Sequence, residues 1–135
     1  MLNAEMQRLK LQNYFSIPNA VFDLDLTDGE ILVYAFLLRC EDRRTYQCHP
    51  SYATIGRAIG KSVNSVRKYV QGLIQKGLIT TERTQIVTKS GETRNGTLLY
   101  TILPIQQVID RQFEKQMTLA MMESRKQEIQ ENLRK

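Results

Sequence analysis

The chain has no tryptophan, one histidine and two cysteines among its 135 residues. Cys40, Cys48 and His49 cannot supply the four ligands of a structural zinc site. A lone histidine, with no nucleophile–base pairing around it, leaves little from which to build catalysis. No catalytic residue, metal or cofactor is therefore expected, and the chain is not read as an enzyme. Long hydrophobic runs are absent too. The longest, Ile31 to Leu38, is far short of the roughly 20 apolar residues that cross a bilayer and reads as a buried helix. No secretory pattern opens the chain, so a cytoplasmic location with reduced cysteines and no membrane partner is expected. One further scarcity is local. Residues 51–101 hold only two carboxylates, Glu82 and Glu92, against eight lysines and arginines. The chain's net charge of +5 thus sits almost wholly in that stretch, which suggests a polyanionic partner.

What is present is a series of well-punctuated helices. Residues 1–13 carry Leu2, Met6 and Leu9 at helical spacing, as an N-terminal arm or helix. Tyr14 to Leu26 reads as extended with a short turn. Thr27-Asp-Gly-Glu30 is a capping box that starts a helix running to about Glu41. A polar loop follows over residues 42–50. Ser51 then caps a helix with Tyr52, Ile55, Ala58 and Ile59 on one face, and Gly60 stops it. Ser62 caps the next helix, on which Val63, Val66, Val70, Leu73 and Ile74 form the apolar side and which Gly77 ends. Beyond it the period changes. Leu78–Val87 and Thr97–Leu103 read as strands, with residues 88–96, including Asn95-Gly96, as the hairpin loop. Pro104 suits the start of a last helix of about 30 residues, roughly 45 Å long.

Two short helices separated by a tight turn, the second more basic, form a helix-turn-helix, and a basic hairpin after them makes a wing. The fold class expected is mainly α with a small β-hairpin wing: a winged helix-turn-helix over 14–103, plus a long C-terminal helix over 104–135. The second helix turns a polar, carboxylate-free face outward. Amide and basic side chains read base edges in the major groove, so Asn64, Ser65 and Lys68 are assigned to bases. Lys61, Ser62, Arg67 and Gln71 are assigned to phosphates, with helix N-terminal amides as an additional anion seat. Lys89 and Arg94 in the wing are expected on a neighbouring backbone or minor groove. Tyr52 and Tyr69 read as aromatics at the core edge and His49 as a loop residue. Gly60-Lys61-Ser62 resembles the end of a phosphate-binding loop, but Ile55 stands where that loop needs glycine and the preceding residues are helical. The bland reading of the same face is a solvated surface on a protein-interaction module.

Tyr14-Phe-Ser-Ile-Pro-Asn19, Leu26-Thr-Asp-Gly-Glu-Ile-Leu-Val-Tyr34, Cys48-His-Pro-Ser51, Ser62-Val-Asn-Ser-Val-Arg67 and Lys76-Gly-Leu-Ile79 together resemble a known family. It is that of the winged helix-turn-helix domains of Gram-positive plasmids, phages and integrative elements, related to the N-terminal domains of plasmid replication initiators and replisome organisers. The resemblance implies duplex DNA binding, often as a dimer. The reading is a transcriptional regulator of a mobile element. The alternatives are a replication-initiation or plasmid-maintenance factor that recruits machinery, and a winged-helix interaction module without a DNA role.

In the last helix, Ile105, Val108, Ile109 and Phe113 form a stripe expected to pack on the chain's own domain. Leu119, Met122, Ile129 and Leu133 fit a/d heptad positions, interrupted by Lys126, and are assigned to homodimerisation; the alternative is a disordered or docked tail.

Overall fold

The computed structural model describes residues 13–134. The arm read over 1–13 lies outside them except for Asn13. An irregular lead-in and a short 3-10 turn, Asn19–Asp23, reach helix α1, Asp28–Cys40. Strand β1 is Gln47–Cys48, helix α2 is Tyr52–Ile59 and helix α3 is Val63–Gln75. The wing strands are β2, Ile79–Val87, and β3, Thr93–Ile102, and helix α4 is Ile105–Arg134. The three strands form one antiparallel sheet in the order β1-β3-β2. The fold is mainly helical, with a helix-turn-helix followed by a hairpin wing.

Local signals set the helix ends. Thr27 Oγ1 accepts from the Glu30 amide at 3.3 Å while Glu30 Oε1 accepts from the Thr27 amide at 2.9 Å, closing the capping box of α1. Ser51 Oγ accepts from the Thr54 amide at 3.1 Å to start α2. At its end Gly60 takes φ 71°, a left-handed conformation that glycine adopts without cost from a Cβ. Gly77, at φ 80°, closes α3 in the same way. There the Leu78 amide donates to the Leu73 carbonyl at 3.0 Å and the Gly77 amide to that of Ile74 at 3.1 Å. This pair of bonds is a Schellman ending, and it turns the chain directly into β2.

The core gathers Val33, Tyr34 and Leu37 of α1, Ile55 of α2 and Val66, Val70 and Leu73 of α3 over Ile79, Tyr100 and Ile102 of the sheet. Helices α1 and α3 cross at two glycines. A Cβ on Gly29 would strike the Tyr69 ring, and one on Gly72 the Glu30 carboxylate. That crossing lies in the later turns of α3, so Val63 at its first position projects past the core and is 42% exposed, contrary to its assignment to the apolar side. In α2, Gly56 takes the buried place expected of Ala58, which is exposed.

The sheet departs from expectation twice. The stretch 42–50, read as a loop, contains β1, whose Gln47 and Cys48 pair with Thr101 and Tyr100. Two residues are too short to show a period. The hairpin turn is also tighter than 88–96. Thr88 donates its amide to the Glu92 carbonyl at 2.8 Å, Gly91 takes φ 82°, and Asn95-Gly96 lies inside β3. Arg83 pairs with Leu98 but Gln85 with Asn95, so Gly96 and Thr97 together oppose Thr84 in a bulge. A Cβ on Gly96 would strike the Thr84 hydroxyl and crowd Ile86. The Asn-Gly pair thus serves a bulge, where sequence reading placed a turn.

Helix α4 buries side chains against the domain only near its beginning. Val108 is buried, and Ile105, Ile109 and Gln112 are half-buried. Phe113, expected to continue that contact, is 62% exposed. Five residues after Val108 it lies about 140° around the helix, turned away from the domain. Every described residue from Phe113 to Arg134 is exposed.

Candidate nucleic-acid interface

The polar face of α3 is turned away from the core, because Val66, Val70 and Leu73 take the inner side. Asn64, Arg67, Lys68, Gln71 and Gln75 line one open groove, together with Thr27 and Asp28 from the start of α1. Four of the assigned residues, Asn64, Arg67, Lys68 and Gln71, are therefore brought together on one surface. No carboxylate occurs within α3 itself. Helix α1 supplies two along the groove, Glu30 and Asp28, and Asp28 Oδ1 accepts from the Gly29 amide at 2.8 Å. Nothing local in the sequence announces these neighbours, since they come from the crossing of α1 over α3.

The two serines of the assigned set also hold the helix start. Ser62 Oγ accepts from the Ser65 amide at 3.2 Å and donates to Ser65 Oγ at 3.0 Å. Ser65 keeps its own hydroxyl hydrogen for an outside acceptor. Helix geometry leaves the Val63 and Asn64 amides directed out of the end of α3, with Lys61 half-buried just before them. The Arg67 guanidinium carbon sits 5.8 Å from the centre of the Tyr52 ring. This cation–π contact holds the cation on the flank of α3. Tyr52 and Tyr69 pack at the core edge as expected, but the role of Tyr52 as a platform for Arg67 was not legible in sequence.

Lys76 belongs to the basic stretch and lines the same groove, yet it is already paired. Its Nζ lies 2.6 Å from Glu30 Oε1 and donates to the Asp25 carbonyl at 2.9 Å. Burial pushes the Glu30 carboxyl up, but hydrogen bonds from Lys76 and Thr27 outweigh it and hold the group below its ordinary value. Counting charge along the chain thus overstates the free cations by this one.

In the wing, Lys89 and Arg94 are exposed, and Arg94 approaches Glu92 at 3.8 Å. A pair so open to water holds weakly. Beside them Ile86 and Val87 are 58% and 71% exposed, an apolar element near the wing tip. The wing joins α2 through a cleft lined by Ser51, Tyr52, Ile86, Asn95 and Leu98. No helix among the described residues is long and apolar enough to cross a membrane.

Residues 24–79 match a family model described as "Helix-turn-helix domain". The match runs from just before α1 to the first residue of β2. No curated protein matches the chain. Among solved structures, the chain is similar to one described as a possible transcriptional regulator from Methanosarcina mazei Go1, at 18% identity and a TM-score of 0.52, covering 85% of this chain and 98% of that one. A likeness at that identity is one of fold.

Proposed function

We propose that this chain is a duplex DNA-binding protein that acts as a homodimeric transcriptional regulator, without catalysis. The observation that carries the reading is the outward face of α3, where Asn64, Lys68, Gln71 and Gln75 stand with Arg67 and no acid of the same helix. Seated in the major groove, such a face offers amides for adenine and a lysine for guanine. The N-terminal amides of α3 and Arg67 meet the flanking phosphates, and Lys89 and Arg94 carry the wing to the neighbouring backbone. Base contacts are assigned to Asn64, Ser65 and Lys68. The helix-turn-helix family match over α1 to α3 and the fold of a protein described as a possible transcriptional regulator support this reading.

The finer role is regulation of a mobile element, drawn from the sequence resemblance. Binding sites beside promoters support it, while sites clustered at an origin favour a replication or maintenance factor. The experiment that tests DNA binding is fluorescence anisotropy of the full chain on a mixed-sequence duplex at several salt concentrations. Micromolar affinity with a log-log salt slope of several units is expected from phosphate neutralisation. No binding even at about 50 mM salt, where that contribution is strong, makes the protein-interaction module the better reading.

A further inference from the structure

Beyond Gln112, every described residue of α4 is exposed over about 33 Å, with Lys115, Gln116 and Leu119 edging a groove they share with Leu24, Gln75 and Leu78 of the domain. Its exposed apolar residues fall into two rows on nearly opposite sides. At about 100° per residue, Leu119, Met122, Ile129 and Leu133 continue the side on which Val108 is buried, with Lys115 and Lys126 in line among them. The opposite side carries Ile109, Phe113, Met117, Ala120, Met121 and Ser124, all within about 120°; Asp110 also falls in that arc, but from Phe113 to Ser124 no charge does. Phe113, Met117 and Met121 are 62%, 48% and 69% exposed. The heptad reading along the first row did not register this second one, because its residues follow a spacing of four more closely than the a/d alternation.

We propose that the Phe113–Ser124 row is the docking surface for a second copy of this chain, with the two α4 helices crossing antiparallel. The proposal rests on the homodimer in the function proposed above. Rows at i, i+4 pack against one another as crossed helices, at an angle near −50°. With the two-fold axis near Leu119 and Ala120, Met117 meets the partner's Met121, and Phe113 lies over the small Ser124 of the partner subunit. Glu114 and Arg125 flank the row on the same side, both exposed and, among the described residues, without an ion pair in their own chain. The same crossing sets Glu114 beside the partner's Arg125, twice by symmetry. The first row lacks these matches. Paired in parallel, it would set Lys115 and Lys126 against their own counterparts, and like charges in a seam repel.

Sedimentation velocity of the full chain over a range of concentrations tests the surface. The wild type is expected to dimerise, Met117→Glu to be monomeric and Ile129→Glu to remain dimeric. Glu114→Arg and Arg125→Glu should each weaken the dimer about tenfold, and the double variant should restore it, because the reversed charges again face opposite partners. Far-UV circular dichroism checks that each variant keeps its helices, and the charge-reversal pair serves if Met117→Glu does not. A wild type that stays monomeric overturns the homodimer and this surface together. A dimer broken by Ile129→Glu but not by Met117→Glu, or no rescue in the double variant, overturns this surface and leaves the homodimer standing. Anisotropy on a single half-site reports the DNA contact separately from either result.

Discussion

Lys68 and Lys89 both present a cation to solvent, yet their surroundings differ in a way that predicts different losses. Lys68 stands in the α3 groove beside Asn64 and Gln71. Lys89 lies in the turn of the wing, between Thr88 and Gly91. Lys68→Ala should cost about 1–3 kcal/mol on a selected site and little on random DNA, as a base contact does. Lys89→Ala should weaken all sequences alike and reduce the salt slope by about one unit. Competition anisotropy at two salt concentrations separates them, and identical behaviour on every sequence removes the division between reading and positioning residues. Lys76 predicts something else again. Its loss leaves the Glu30 carboxylate, with a side chain only 5% exposed, held by Thr27 alone. Lys76→Ala should lower stability by about 1–3 kcal/mol in urea titration while DNA contacts on α3 persist. The same pair sets an acid limit. Because the Glu30 value is depressed on folding, its stabilisation is present above the ordinary carboxylate range and lost as pH falls through the lowered value. Melting temperatures from pH 7 down to 3 should fall less steeply in Glu30→Gln than in the wild type.

At the scale of elements, most boundaries rest on single residues with a stated geometry. Thr27, Ser51 and Ser62 each cap a helix with a side-chain oxygen. Gly60 and Gly77 each end one in the left-handed region. All five are legible in the sequence as punctuation, because capping is local chemistry. Gly77→Ala should cost about 1–2 kcal/mol, the ordinary penalty for a Cβ in that conformation, and the loss should appear as a lower denaturant midpoint with an unchanged slope. The misread elements share a different cause. β1 exists because β3 lies beside it, and the bulge at Gly96 exists because Thr84 and Ile86 of β2 crowd that position. Neither partner is near in sequence, so Asn95-Gly96 looked like the turn it most often makes.

For the whole molecule, dimerisation and DNA binding are predicted to be separable. The α3 face belongs to the domain that packs around Tyr34, Leu73 and Tyr100, while the distal half of α4 stands clear of it. Met117→Glu should therefore keep the affinity for one half-site and lose cooperative binding to a two-site duplex. Gel-shift titration on single and paired sites reads this directly, and a variant that loses single-site binding as well places α4 in the DNA contact.

Residue order and side-chain chemistry were enough to define four helices, their caps, the wing and the basic, acid-free face of α3, since each depends on neighbours within about a turn of helix. They were enough for the net charge of the interface as well, but not for its distribution. Contacts across the chain assigned Lys76 to Glu30, brought Asp28 to the edge of the α3 groove and set Arg67 over Tyr52. They also left Phe113 exposed, because it lies about 140° around α4 from Val108, the side chain the helix buries against the domain. Periodicity records which residues share a face of a helix. Whether that face meets a core, a solvent or a second chain depends on elements far away in sequence, and is settled only when they pack.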